Sequence, residues 1–221
     1  MKIKAILFDM DGLVLDTEKL YTRFWQEAAQ EFGYPMTKEQ ALGMRSLNRG
    51  AGAEKLKSYF GPEVDYDAVR KKRIERMDAF VAATGVTVKP GIRELLDFAK
   101  EHGLKTAITT SSPMERTLVY LGQVGLKESF DELVSGYMVE KGKPEPDIYL
   151  YAAEILGVQP SECMVLEDSP AGILAAHRAG CVPVMIPDQD EPEEETKKLL
   201  FACVARLDLV CELLTQRGLS V

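Results

Sequence analysis

Short, mostly apolar segments alternate along the chain with longer segments whose apolar residues recur at helical spacing. Four of the short segments lead directly into polar residues or a proline followed by an acid, and they cover residues 3–8, 104–108, 164–166 and 182–186. A strand that is covered by helices on both faces is apolar on both sides, so these segments are typical of buried parallel strands. The alternation of strands with helices therefore predicts an α/β fold built on a doubly wound parallel sheet.

Several helix ends are marked by the residues that favour them. Pro146 precedes a helical pattern over residues 147–156, and Gly157 follows it. Proline is favoured where a helix begins and glycine just past its end. Ser112 is followed three residues later by Glu115, which predicts a capping box with the Ser112 hydroxyl as the N-cap.

Residues 17–84 interrupt the alternation, because they contain helical patterns and no convincing strand. The helical patterns cover residues 21–32, 50–60 and 67–82. We interpret this stretch as an all-helical domain inserted between the first and second strands. The predicted domains are an α/β core of residues 1–16 and 85–221 and a helical domain of residues 17–84.

Charge and composition exclude several classes of protein. The 221 residues include 27 Lys and Arg against 35 Asp and Glu, a net charge of −8, whereas nucleic-acid binders need clustered basic residues. The four cysteines form no closely spaced pair, so a zinc site is not expected. The chain has no apolar run of about 18 residues and no apolar leader, so we expect a cytoplasmic protein without membrane contact. We also expect a monomer.

Polar side chains follow the predicted strands where each strand ends. The residues concerned are Asp9, Asp11, Thr110, Ser111, Glu167 and Asp168, and Lys143 arrives from the loop before the helix that follows Pro146. Ligands of open parallel sheets bind outside the carboxyl ends of the strands, so we expect all seven side chains in one crevice.

Carboxylates that crowd together repel one another unless a cation neutralises them. Mg²⁺ prefers oxygen ligands of this kind and leaves room for water and a substrate phosphate. Asp9 and Asp11 lie two residues apart, so in an extended segment they point the same way. The metal and Lys143 would screen a phosphate group from the acidic site, and Thr110 and Ser111 can donate hydrogen bonds to its oxygens.

Four segments carry a resemblance to a known family. In chain order they read DMDGLVLD, KTAITTSS, KGKPEPDIY and VLEDSPAGILAA. Together they resemble the four ordered motifs of the haloacid dehalogenase-like hydrolase superfamily, over residues 9–188. The helical insertion is similar to the cap of the subfamily whose cap follows the first motif, in the branch of β-phosphoglucomutases and small-metabolite phosphatases. The resemblance implies a Rossmann-like core with a small all-helical cap domain.

The resemblance also implies roles for individual residues. Asp9 is expected to be the nucleophile that forms an aspartyl-phosphate, and Asp11 to protonate the leaving oxygen and later deprotonate a water. Thr110 and Lys143 are expected to bind the transferring phosphoryl group. The residues expected to hold Mg²⁺ are Asp9, Asp11 (through its backbone carbonyl), Glu167 (directly or through water) and Asp168.

Three functions remain open on the sequence. The chain resembles a Mg²⁺-dependent phosphatase for a small phosphorylated metabolite (a sugar phosphate or nucleoside monophosphate), a β-phosphoglucomutase-type mutase, and a non-catalytic metabolite-binding relative. Leu42 stands where the mutases of this branch have a lysine, and Tyr21 where they have a histidine, which favours hydrolysis. Arg45 is the candidate for binding a substrate anion, because guanidinium suits bidentate contacts with phosphate.

Overall fold

The chain forms two compact units in its computed structural model, which describes residues 2–45, 47, 49–188 and 191–216. One unit is Asp16–Val86, and the other combines Met1–Leu15 with Thr87–Val221. In their described residues the first is helical and the second contains both strands and helices. We call them the helical unit and the α/β unit.

The described part of the helical unit contains four helices. They are α1 (Glu18–Glu31), α2 (Lys38–Leu42), α3 (Arg49–Phe60) and α4 (Tyr66–Thr84). Trp25 stacks on Tyr66 inside an apolar cluster that includes Leu56. The three helices predicted from the sequence are confirmed. The short α2 was not predicted, because its five residues are defined by a capping box between Thr37 and Gln40 rather than by apolar periodicity.

Six parallel strands form the sheet of the α/β unit in the residues that the structure describes. They are β1 (Ala5–Phe8), β2 (Lys105–Thr110), β3 (Glu132–Ser135), β4 (Cys163–Glu167), β5 (Val182–Met185) and β6 (Ala202–Cys203). Their spatial order is β3-β2-β1-β4-β5-β6, and all neighbouring pairs are parallel. The chain proceeds from β1 to one side and then returns to the other, so the predicted doubly wound sheet is confirmed.

The α-helices of the α/β unit in its described residues are α5 (Ile92–Glu101), α6 (Met114–Gln123), α7 (Asp147–Leu156), α8 (Pro170–Arg178), α9 (Glu194–Lys197) and α10 (Leu209–Gln216). All of them except the four-residue α9 bury apolar side chains. The buried residues of α5 recur at helical spacing, and they are Ile92, Leu95, Leu96 and Ala99. The predicted bounds of α7 are confirmed, with Gly157 in the left-handed conformation just past its end. No helix in the described ranges has the length and apolarity needed to cross a membrane.

The register of the sheet decides which residues lie beside the end of β1. The last residue of β1 pairs with Ile108 of β2 and with Leu166 of β4. The next residue, Asp9, therefore emerges between Thr109 and Glu167. Because the two halves of the sheet diverge at β1, this is the switch point where ligands bind in doubly wound sheets.

Three features differ from the sequence-based expectations. Strands β3 and β6 form the two edges of the sheet. They were missed because neither stands out as an apolar run: β3 begins with Glu132 and ends with Ser135, and β6 has only two residues. The predicted N-cap at Ser112 is wrong. Helix α6 begins at Met114 with Pro113 in the N-cap position and no side-chain cap, and the Ser112 hydroxyl instead donates to Asp11.

Candidate active site

The Lys143 ammonium lies at the centre of the polar cluster that follows β1. Its Nζ donates to Asp9 Oδ1 at 2.5 Å, to the Thr109 carbonyl at 2.9 Å and to Glu167 Oε1 at 2.6 Å. An ammonium has three N–H donors, so these three acceptors use all of them. The acceptors are the residues that the register brings together at the ends of β1, β2 and β4. Lys143 is therefore held in one orientation by the sheet itself.

Glu167 accepts hydrogen bonds on both carboxylate oxygens. Besides Lys143, Oε1 accepts from the Tyr149 hydroxyl at 2.7 Å. Oε2 accepts from the Ser169 backbone N–H at 3.2 Å and the Ser169 hydroxyl at 2.9 Å. Glu167 is fully buried, and a buried carboxylate is costly unless it is paired and hydrogen-bonded. These contacts meet that requirement and fix the position of Glu167 beside Lys143.

Helix α8 can lie against Glu167 because residue 172 has no side chain. A Cβ added to Gly172 would lie 1.9 Å from both Cδ and Oε1 of Glu167. No real Cβ makes such a contact, and the opposing atoms belong to a buried, hydrogen-bonded carboxylate. Gly172 therefore makes room for the charge that orients Lys143.

Replacing Gly172 by alanine is expected to destabilise the protein by about 3 kcal/mol through overpacking and to lower activity by displacing Glu167. Gly122 is the matched control, since it is also helical and nothing lies within 4 Å of its added Cβ. Gly122→Ala is expected to stabilise by about 0.5–1 kcal/mol. Urea unfolding measures both. Wild-type stability of Gly172→Ala would show that α8 does not constrain Glu167.

Burial and charge act in opposite directions on the ionisable groups of the cluster. Burial raises the pKa of Asp9 from 3.8 to about 7, although the Lys143 ammonium acts to lower it. Burial alone would lower the pKa of Lys143, but the Asp9 and Glu167 carboxylates outweigh it and hold that pKa well above its usual range. Burial, followed by the Glu167 charge, raises the pKa of the Tyr149 hydroxyl. Lys143 therefore stays positively charged within the cluster, and any further positive charge nearby would stabilise the ionised form of Asp9.

Three carboxylates of the α/β unit are close enough to share a metal ion. One oxygen each of Asp9, Glu167 and Asp168 lie within 4.8 Å of one another, and all three residues are buried. Carboxylate oxygens are the ligands that Mg²⁺ prefers. One lysine serves both Asp9 and Glu167, so the cluster carries more negative than positive charge. The donor set fits a hard divalent cation.

Asp11 and Thr110 meet through a residue that was not among the predicted site residues. The Ser112 hydroxyl donates to Asp11 Oδ2 at 2.8 Å, and the Ser112 backbone N–H donates to Thr110 Oγ1 at 3.0 Å. Thr110 is buried, whereas Ser111 is exposed. Asp11, Thr110 and Ser111 thus lie at the carboxyl ends of β1 and β2, within two residues of Asp9 or Thr109, and both of these contact Lys143.

Four participants were missed by reasoning from the sequence. They are Thr109, Ser112, Tyr149 and Ser169. The backbone carbonyl of Thr109 leaves no signal in a sequence. Ser112 and Ser169 are serines close to the start of a helix, where serine is ordinarily interpreted as a helix cap. Tyr149 is the third residue of α7, and only the buried position of its hydroxyl identifies it as part of the site. A buried polar group this close to predicted catalytic residues becomes recognisable once the fold is known.

Arg45 belongs to the helical unit. Its Nε donates to the Leu42 carbonyl at 3.2 Å and lies 3.9 Å from Glu18 Oε2. Its side chain is 11% exposed and that of Glu18 is 10% exposed. Arg45 is therefore a largely enclosed cation next to a carboxylate, and its predicted contact with a substrate anion stays a prediction.

Comparison with known proteins identifies similar chains over most of this length. A model of the haloacid dehalogenase-like hydrolase family matches residues 3–180. The chain is 34% identical over 178 residues to the phosphorylated carbohydrates phosphatase of Thermotoga maritima, covering 80% of this chain and 82% of that protein. It is 29% identical over 188 residues to the β-phosphoglucomutase of Bacillus subtilis, covering 82% of each. The crystal structure of CbbY from Rhodobacter sphaeroides in complex with phosphate has a TM-score of 0.76 and 26% identity, covering 93% of this chain and 95% of that one.

Proposed function

This chain belongs to the haloacid dehalogenase-like hydrolase family, and from that premise we propose that it is a Mg²⁺-dependent phosphatase for a small phosphorylated metabolite, with Asp9 as its nucleophile. The observation that carries the proposal is the contact of Lys143 with Asp9 at 2.5 Å. A carboxylate that attacks a phosphate must be freed from electrostatic repulsion. Lys143, held by Glu167 and the Thr109 carbonyl, supplies a fixed positive charge at that point.

In the first step an oxygen of Asp9 attacks phosphorus while the bond to the leaving oxygen breaks. The product is an aspartyl-phosphate, which divides one difficult hydrolysis into two easier displacements. Thr110 and Ser111 donate hydrogen bonds to the phosphoryl oxygens, and Lys143 attracts those oxygens through its positive charge, where charge must be stabilised during transfer. Because Lys143 is oriented by the sheet before substrate arrives, little rearrangement is needed.

Asp11 acts first as a general acid and then as a general base. It donates a proton to the leaving oxygen as that bond breaks, so that an alcohol departs rather than an alkoxide. It then takes a proton from the water that attacks the aspartyl-phosphate, which releases inorganic phosphate and restores the Asp9 carboxylate. The proton that Asp11 loses in the first step is thereby regained in the second.

The residues proposed to hold Mg²⁺ are Asp9, Asp168, the backbone carbonyl of Asp11, and Glu167 directly or through water. A bound Mg²⁺ ion offsets the negative charge that the substrate phosphate brings to the carboxylates. The three carboxylate oxygens within 4.8 Å of one another support this assignment. Asp9 is the nucleophile in this arrangement, and Lys143 is the fixed positive charge beside it.

A sugar phosphate or a nucleoside monophosphate is the proposed class of substrate. The relative from Thermotoga maritima is named for phosphorylated carbohydrates, and this supports the first of the two. A phosphosugar mutase is the second candidate, since the relative from Bacillus subtilis is named β-phosphoglucomutase. Leu42 and Tyr21 replace the charged or ionisable residues expected of a mutase at those positions, so hydrolysis is preferred.

A panel of phosphorylated metabolites with Mg²⁺ tests the proposed function. Sugar phosphates and nucleoside monophosphates are expected to release inorganic phosphate, and EDTA is expected to abolish that release until Mg²⁺ is restored. Conversion of β-glucose 1-phosphate to the 6-phosphate with little free phosphate would instead identify a mutase. Inertness towards the whole panel would favour a non-catalytic binding protein.

Replacing Asp168 by asparagine is expected to raise the Mg²⁺ concentration for half-maximal activity by at least about 10-fold, since a metal ligand loses its charge. It should also reduce the rise in melting temperature that Mg²⁺ produces, because ligand binding to the native state stabilises it. Asp97→Asn is the control, as Asp97 is an exposed residue of α5. Unchanged Mg²⁺ dependence of Asp168→Asn in both measurements would remove Asp168 from the proposed metal site.

A further inference from the structure

We propose that Ser112 is a positioning residue that holds the carboxylate of Asp11 in place for proton transfer. The inference rests on the proposed function, because it concerns the acid and base step of that reaction. Its starting point is the hydrogen bond of 2.8 Å from the Ser112 hydroxyl to Asp11 Oδ2. The two residues are 101 positions apart in the chain, so the contact is made by the tertiary fold.

The backbone of Ser112 is held on both sides by side chains of the sheet. Its N–H donates to Thr110 Oγ1 at 3.0 Å, and its carbonyl accepts from the Ser135 hydroxyl at 2.7 Å. Thr110 is the last residue of β2, and Ser135 is the last residue of β3, with 1% and no exposure respectively. The loop that carries Ser112 is therefore fixed by two neighbouring strands, and so is the direction of its hydroxyl.

The Ser112 hydroxyl is not engaged in the role that its sequence context predicts. A serine followed by proline and, three residues on, by glutamate is ordinarily an N-cap whose hydroxyl accepts from a backbone N–H. Here Pro113 occupies the N-cap position of α6 and no side chain caps it. The hydroxyl donates to a carboxylate instead. Since charge-assisted hydrogen bonds are stronger than neutral ones, this contact has the strength to select one orientation of Asp11.

The hydrogen bond from Ser112 fixes the Asp11 carboxylate through Oδ2. In the first step a proton passes from the Asp11 carboxyl group to the leaving oxygen as the phosphorus–oxygen bond breaks. In the second step a proton of the attacking water passes to the Asp11 carboxylate as the bond between phosphorus and Asp9 breaks. Ser112 keeps its own proton throughout and acts only through Asp11.

The test compares substrates that differ in their need for a general acid. An alkyl phosphate must have its leaving oxygen protonated, whereas the 4-nitrophenolate of 4-nitrophenyl phosphate leaves without protonation. Ser112→Ala is expected to lower kcat/KM for an alkyl phosphate by about 10-fold, a part of the 10²–10⁴-fold that a general acid contributes. The first turnover of 4-nitrophenyl phosphate, measured as a burst of nitrophenolate by stopped flow, is expected to change by less than about 3-fold.

Two further variants separate positioning from structure. Ser112→Thr keeps the hydroxyl and is expected to restore most of the alkyl phosphate activity. Ser135→Ala removes a hydrogen bond that holds the loop and leaves Asp11 unchanged. It is expected to lower kcat/KM for the alkyl phosphate selectively, as Ser112→Ala does, but by a smaller factor. Ser129→Ala, at an exposed serine of the α/β unit, is the control that leaves both rates unchanged. Ser135→Ala also tests the proposal if Ser112→Ala does not fold.

Equal losses on both substrates, or no loss on either, would overturn the positioning role of Ser112. Asp11→Asn separates this outcome from a failure of the proposed function. Asp11→Asn is expected to lower kcat/KM for the alkyl phosphate by about 10²-fold or more, with a much smaller effect on the first turnover of 4-nitrophenyl phosphate. If Asp11→Asn shows no such difference, the acid role of Asp11 itself is wrong, whatever Ser112 does.

Discussion

Replacing Lys143 by methionine is expected to lower phosphatase activity by about 10³-fold and the free energy of unfolding by about 3–5 kcal/mol. The substitution leaves Asp9 and Glu167 facing each other in a buried site without the ammonium that contacts both. Removing one partner of a buried charge pair costs this much because the remaining charge cannot be solvated. Phosphate release measures the first effect, and urea unfolding in EDTA measures the second.

Two variants show whether these losses come from the buried charges. Lys197→Met removes a lysine that also pairs with a glutamate but lies 55% exposed, and exposed pairs contribute little, so its stability is expected to change by less than about 1 kcal/mol. Adding Glu167→Gln to Lys143→Met removes one orphaned charge and is expected to recover part of the stability without recovering activity. A Lys143→Met protein as stable as the wild type would contradict the central place given to Lys143.

Asp9→Asn is expected to lower activity by at least about 10⁴-fold, because removal of a nucleophile leaves only the other parts of the site. An amide oxygen cannot form the aspartyl-phosphate. The fold is expected to survive, since burial already raises the pKa of Asp9 to about 7 and a neutral side chain is tolerated there. Circular dichroism and urea unfolding check the fold, and phosphate release checks the activity.

The covalent intermediate provides a separate readout. Acid-quenched wild-type protein is expected to carry one phosphoryl group on the peptide that contains Asp9, and Asp9→Asn protein is expected to carry none. Asp97→Asn should behave as the wild type in both measurements. Substantial turnover by Asp9→Asn, or a phosphoryl group on another residue, would assign the nucleophile elsewhere.

Several buried elements of the fold could be predicted from the sequence because each carries its own signal. Strand β1 is apolar at every position, and α5 repeats its buried residues at helical spacing. The edge strands β3 and β6 could not be predicted in this way. Only two residues of β3 are apolar and β6 has only two residues, and the assignment of both strands depends on hydrogen bonds to β2 and β5, which no local pattern contains.

The residues of the candidate site fall into the same two groups, those with a signal in the local sequence and those without one. Asp9, Asp11, Lys143 and Asp168 were proposed from residue type, position after a strand and resemblance to a family. Ser112 was assigned to a helix cap and Tyr149 was not considered, since each has an ordinary local interpretation. Their contacts with Asp11 and Glu167 join segments that are far apart in the chain, so they follow from packing rather than from local sequence.

The sequence by itself determined the α/β class, the helical insertion and the identity of the charged groups at the ends of the strands. Those properties depend on periodicity and residue type, which are local. Only the tertiary structure decided how the groups are partnered: that Lys143 contacts Asp9, the Thr109 carbonyl and Glu167 together, and that Ser112 donates to Asp11. The physical reason is that the register of parallel strands and the close approach of α8 at Gly172 fix these distances, and both arise only when distant segments pack.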